Sequence, residues 1–183
     1  MASWQTAPVE PVQISAPGLV LRPWRAADAP AVLAALVDPD IVRWNGQGVT
    51  DLAQAAAWIT RRADHSDGSH VSVAVTDATD GTLLGAVSVH QIRHGNAAVG
   101  YWTAAPARGR GVAARALRAL TGWAFTHLDL HRIELCHAVD NPASCRVATR
   151  AGYRWEGTLR ESHRYGDGHR HDEHLHARLA TDD

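Results

Sequence analysis

A chain of 183 residues, 45% hydrophobic and 20% charged, is long enough to bury one sizeable core and forces no second domain. Its formal net charge of -1 creates no basic field of the kind that nucleic acid or an anionic membrane attracts, so neither is an expected partner. No run of about 18 apolar residues could span a bilayer, and the N-terminus lacks the basic-then-apolar pattern of a signal peptide; a cytoplasmic location is expected. All 18 basic residues are Arg, which removes a Schiff-base lysine and a P-loop lysine from consideration. The two cysteines, Cys136 and Cys145, form no CxxC pair and read as reduced structural thiols.

Residues 1–16 carry little periodicity and read as a flexible lead-in, followed by a single domain over 17–183. Leu19 to Pro23 is strand-like. Asp28 is placed to cap a helix through Leu33, Leu36 and Val37 that stops before Pro39. Thr50 is placed to cap a second helix with Leu52, Ala55, Ala56 and Ile59 on one face. Val71 to Thr76 and Leu83 to Val89 read as a hairpin around Asp80-Gly81, and Ala97 to Thr103 as a third strand. Beyond a Gly/Arg loop, Ala113, Ala116, Leu117, Leu120, Trp123 and Ala124 mark one face of a strong helix. Arg132 to Val139 is the next strand. Asn141-Pro142 opens a short helix as N-cap and N1, and Gly152 closes it. Two strands around Arg154 to His163 and Arg170 to Leu179 flank the Asp167-Gly168 turn. The order βααβββαβαββ, with hairpins and one strand-helix-strand crossover, predicts an α/β (α+β) domain with a mixed sheet.

The stretch from Tyr101 to Ala113 carries the most chemistry. A strand runs into a loop containing Gly109 and Gly111, which hands over directly to the strong helix. Glycines let backbone approach a ligand, and the free amides of a helix start favour an anion. Arg108 and Arg110 add cationic forks suited to phosphate. Two ligand classes fit. Gly109 to Ala114 matches the GxGxxA dinucleotide fingerprint, with Asp140 after the next strand, which would imply NAD; too little chain follows to complete a doubly wound parallel sheet. The other fit is coenzyme A.

Arg108-x-x-Gly111-x-Ala113 resembles the R/QxxGxG/A pattern with which GNAT acetyltransferases hold the coenzyme A pyrophosphate. Asn141-Pro-Ala-Ser144 resembles the NxxS element of the ribosomal-protein N-terminal (RimJ/RimL-like) branch of that superfamily. Val147-Ala148, Ala151-Gly152-Tyr153 and Glu156-Gly157 are similar to that branch's helix, aromatic turn and EG strand. Position 115, often Glu in the branch, is Arg here. The resemblance implies the GNAT fold, a central mixed and mostly antiparallel sheet with flanking helices, in a monomer or homodimer. It implies an N-acetyltransferase that carries an acetyl group from acetyl-CoA to a primary amine on a protein N-terminus or a small molecule, with no metal. A non-catalytic acyl-CoA sensor is the alternative.

By the same resemblance, Trp102 and Thr103 would pair with the pantetheine arm. Arg108, Gly109, Arg110, Gly111, Val112 and Ala113 would hold the pyrophosphate, and Asn141 the arm of the coenzyme. Ser144 would protonate the leaving thiolate. The base falls at His163 by counting onward from Ser144; an imidazole with pKa near ~6.5 suits neutral pH. Glu161 is expected on the same strand face, and Glu156 belongs to the EG element. Water without a dedicated base is the open alternative. The histidines 163, 169, 171, 174 and 176 read as one terminal hairpin facing solvent on an edge strand rather than as a metal site. Trp24, Trp44 and Trp58 read as core or as the lining of an acceptor pocket.

Overall fold

The computed structural model describes residues 12–182. Strands β1 (Ile14–Ala16) and β2 (Leu19–Arg22) form a hairpin, followed by helices α1 (Ala29–Leu36), α2 (Pro39–Asn45) and α3 (Leu52–Ala63). An antiparallel meander of β3 (His70–Asp77), β4 (Leu83–Arg93) and β5 (Asn96–Thr103) leads into α4 (Val112–His127). Then come β6 (Arg132–Ala138), α5 (Pro142–Arg150), β7 (Arg154–Arg164) and β8 (Arg170–Leu179). The sheet order is β1-β2-β3-β4-β5-β6-β8-β7. Only β5 and β6 run parallel, because α4 carries the chain over the sheet between them. This is the mixed, mostly antiparallel sheet with flanking helices that the element order predicts. It is incompatible with the parallel, doubly wound sheet of the NAD reading.

Helices cover both faces, so the central strands are buried on both sides, and β3 is buried without a break from Val71 to Thr76, its polar Ser72 and Thr76 included. On one face Val71, Val73 and Val75 pack with Leu117 and Leu120 of α4. On the other, Ala74, Ala86 and Trp102 meet Trp24, Trp58 and Ile59. Trp24 and Trp58 are therefore core, edge to face with centroids 5.0 Å apart.

Three local expectations need correction, and one helix was not expected. The first strand, β1, begins at Ile14, inside the segment read as lead-in; residues 1–11 of that segment lie outside the described residues. Asp28 does not cap α1, because Arg22 holds its carboxylate with bonds of 2.8 and 2.7 Å and the Arg25 amide donates to it at 2.8 Å. Asp51, not Thr50, caps α3 by accepting from the Gln54 amide. Pro39 does end one helix, but it also opens α2 at its first turn, where Asp38 accepts from the Asp40 and Ile41 amides.

Candidate active site

β5 and β6 pair only at Asn96↔Arg132, Ala97↔Ile133 and Ala98↔Glu134. Beyond that point they separate, and a cleft of ≈ 820 Å³ opens between them, within the size range of ligand sites. Its walls come from Val99 to Thr103 on one side, Cys136 to Ala138 on the other, and the starts of α4 and α5. The Ala104 amide donates to Leu84 on β4. Alternation along the strand then turns the amides and carbonyls of Tyr101 and Thr103 towards the gap. Two contacts agree with this: the Tyr101 carbonyl accepts from Asn45 Nδ2 at 3.0 Å, and the Thr103 carbonyl from Arg108 Nε at 3.3 Å. Thr103 thus presents main chain to the cleft. Trp102 also lines the cleft, but its main chain faces β4 and its indole lies in the second core, stacked on Trp24.

At the start of α4, Gly109 and Gly111 adopt φ of +75° and +71°, a left-handed conformation that costs a glycine little. Among the described residues, the amides of Gly109, Arg110, Gly111, Val112, Ala113 and Ala114 find no acceptor in the protein. That leaves a nest of free N–H groups at the positive end of a 16-residue helix. Arg115 Nη1 donates back to the Arg110 carbonyl at 2.8 Å and braces the loop from behind. The guanidinium expected to grip phosphate is engaged elsewhere: Arg108 bonds Asp38 and Asp40 at the first turn of α2. The bond to Arg108 holds the Asp38 carboxyl below its ordinary value. Arg110 leans towards Asp77, 3.7 Å away, and does not line the cleft.

α5 delivers the other expected groups. Asn141 caps it, its Oδ1 accepting the Ser144 amide at 3.2 Å. Ser144 is buried, and its Oγ lies 2.5 Å from the Tyr101 hydroxyl. Burial pushes the Tyr101 phenol up to about 12, so it stays protonated at neutral pH. The turn after α5 is pinned by Tyr153, whose hydroxyl meets Thr121 Oγ1 at 2.6 Å inside the protein.

β7 separates the two candidate bases. His163 lines the cleft, edge to face with Tyr165 at 4.8 Å. Glu161 sits in a bulge between Leu159 and His163, with φ of +45°. Its amide is tied to Asp172 and its side chain is exposed, outside the cleft. The bulge breaks the period of two on which a shared face depended. Glu156 of β7 pairs with Arg132 of β6 across the intervening β8. Cleft groups that were not expected as site residues include Tyr101, Glu134, Cys136 and Glu173. Glu173 accepts the hydroxyls of Ser162 and Tyr165, both at 2.7 Å. Burial, with Glu173 and Glu134 nearby, raises the Cys136 thiol to about 11. Trp44 lines the cleft as well, edge to face with Tyr165 and His171.

A free amide nest at the foot of two diverging parallel strands matches what comparison with known families finds. The family described as the acetyltransferase (GNAT) domain matches residues 18–154. The chain belongs to this GNAT family. Among curated relatives it is 34% identical to the ribosomal-protein-serine acetyltransferase of Escherichia coli over 99 residues, 53% of this chain and 55% of the relative. The chain spans about half the length of the first curated relatives it matches. Its structure is similar to that of RimJ from Mycobacterium smegmatis in complex with CoA-disulfide, at 27% identity and a TM-score of 0.82, covering 94% of this chain and 88% of that one. A GNAT-family acetyltransferase from Bacillus anthracis shares the fold, with 23% identity and a TM-score of 0.81 over 92% and 99% of the two chains.

Proposed function

We propose that the protein is an N-acetyltransferase that moves an acetyl group from acetyl-CoA to the α-amine of a polypeptide, by direct attack in a ternary complex. The observation that carries this is the run of acceptorless amides from Gly109 to Ala114 beside the point where β5 and β6 part. A diphosphate would satisfy those amides, and an extended thioester arm would lie along the gap, where Thr103 and Tyr101 offer main-chain donors.

The chemistry follows from the groups that line the gap. The neutral amine attacks the thioester carbon, a C–N bond forms, and the C–S bond breaks. Developing charge on the carbonyl oxygen meets a strand amide. The thiolate takes a proton from Ser144, whose hydroxyl is replenished through the adjacent Tyr101 phenol. The ammonium proton passes to His163, the expected base that lines the cleft. Glu134, Asp140 and Glu173 also line it, which suits a cationic acceptor despite the near-neutral chain. A polypeptide terminus is favoured over a small amine by the likeness to RimJ and to the ribosomal-protein-serine enzyme.

The test is mass spectrometry after offering the protein acetyl-CoA with a mixture of N-terminal peptides, polyamines and aminoglycosides, while free thiol release is followed. Acetylated peptide α-amines are expected. Thiol release with only small amines modified would overturn the acceptor, and silence across the panel with tight acetyl-CoA binding would leave a sensor.

A further inference from the structure

Where β6, α5 and β8 meet, four metal-ligating side chains converge. His137 of β6, Cys145 of α5, and His174 and His176 of β8 each place a donor atom within 4.8 Å of all the others. The register produces this arrangement. His137 lies opposite His174 across the β6–β8 ladder, and His176 is two residues along, on the same face. Cys145 descends from the first turn of α5 to that face.

The spacing is that of ligands. His137 Nε2 and His176 Nε2 are 3.3 Å apart, and Cys145 Sγ is 4.0 Å from His176 Nε2. A tetrahedral zinc ion, with Zn–N of about 2.0–2.1 Å and Zn–S of about 2.3 Å, has N···N edges of roughly 3.4 Å and N···S edges of roughly 3.6 Å. One nitrogen edge is already met, one sulfur edge is a few tenths of an ångström too long, and the remaining edges lie within 4.8 Å. His137 Nδ1 lies 2.8 Å from the Ala138 carbonyl. Donation there fixes the tautomer and leaves Nε2 bare and aimed at the cluster, which is the usual outer support of a ligating histidine. The rings of His137 and His176 are buried, and His174 Nδ1 is a buried nitrogen with no hydrogen-bond partner. The cluster is therefore not satisfied by the protein alone.

We propose that His137, Cys145, His174 and His176 bind one zinc-class divalent ion in a closed tetrahedron of one thiolate and three imidazoles. Four protein donors leave no position for a reactant, so the ion is a staple: it fastens the first turn of α5 to β6 and β8. Cys145 follows Ser144 directly, so the staple fixes the residue placed beside the scissile thioester. The structure corrects one part of the sequence expectation for the terminal histidines. β8 is not an edge strand; it lies between β6 and β7, and the two partners that complete the set, His137 and Cys145, come 39 and 31 residues before His176.

The experiment uses the full chain, reduced, stripped with chelator, and titrated with cobalt(II) chloride alone. One equivalent should bind, with intense visible bands of four-coordinate cobalt and a near-ultraviolet thiolate-to-cobalt band, both bleached by zinc(II). Zinc should also raise Tm. Cys145→Ser should abolish the thiolate band and weaken cobalt binding at least tenfold, while Cys136→Ser leaves the band intact. Should Cys145→Ser fail to fold, His174→Ala at a partly exposed position is the second variant, with the same tenfold loss expected. No saturable binding, or a spectrum unchanged by both Cys145→Ser and His174→Ala, would overturn the site; so would a thiolate band that survives Cys145→Ser and vanishes in Cys136→Ser. None of these readouts requires acetyl-CoA or turnover, so they stand apart from the acetyltransferase reading.

Discussion

The Tyr101 hydroxyl and Ser144 Oγ lie 2.5 Å apart, joining β5 to the first turn of α5 across the mouth of the cleft. With the phenol held in its protonated form, the proposed reaction would draw its proton from this pair rather than from a lone serine. Ser144→Ala is expected to lower kcat by about 100-fold with little change in acetyl-CoA affinity. Tyr101→Phe should lower it less, since Ser144 keeps its own proton. Steady-state kinetics beside acetyl-CoA titration separates the two effects, and an unchanged kcat in Ser144→Ala would remove it from the reaction.

His163 should appear in the pH profile. A general base must be deprotonated, so kcat/KM rises with pH through its pKa and then levels. His163→Ala should lose that ascending limb. A profile of unaltered shape would assign the proton to water.

Arg108 distinguishes amide from side-chain recognition. Its guanidinium is spent on Asp38 and Asp40, and the free amides beside it are main chain. Arg108→Ala should therefore reduce coenzyme A affinity by less than about tenfold, within the range of a half-exposed ionic contact. A much larger loss by calorimetry would mean that the fork swings onto the phosphate.

Stability should weaken on mild acidification. The Ser72 amide donates to His65 Nε2 at 3.1 Å, and burial, followed by His70 nearby, lowers the pKa of His65. The native ring resists a proton that the unfolded ring accepts near pH ~6.5. The contribution of His65 is thus present above that pH and is lost as pH falls towards the lower native pKa. Urea midpoints taken between pH 8 and 5 should decline in the native protein and decline less in His65→Asn. Equal slopes would acquit His65.

Gly166 marks where the turn between β7 and β8 docks on α2. Its amide donates to the Arg43 carbonyl at 2.9 Å, and a Cβ there would stand 1.8 Å from the Val42 oxygen. Gly166→Ala should cost about 1–3 kcal/mol, measured by chemical denaturation, and should loosen the cleft wall that Trp44 and Tyr165 share.

Local chemistry was legible in the sequence where a residue acts through its neighbours. Asn141-Pro142 and Gly152 bracket α5 as their capping preferences dictate, and the Gly109 to Ala113 loop opens α4 with its amides free. What stayed hidden depends on contacts between distant segments. Arg108 reaches acids 68 and 70 residues earlier, and Tyr101 finds Ser144 across 43 residues. The His137 cluster gathers three elements. Glu161 was misplaced because β7 carries two extra residues between Leu159 and His163, which interrupt the alternation of faces along the strand, and nothing in the local composition marks that insertion.

The parting of β5 from β6 has one more consequence. A sheet ordinarily exposes its unsatisfied peptide groups only at its two rims, where neighbours can add on without limit. Here a third rim is enclosed within the fold, walled by helices and only a few residues deep. The free edge there is only as long as Val99 to Thr103, room for a short extended guest but too short a template for the open-ended strand addition that an outer rim invites.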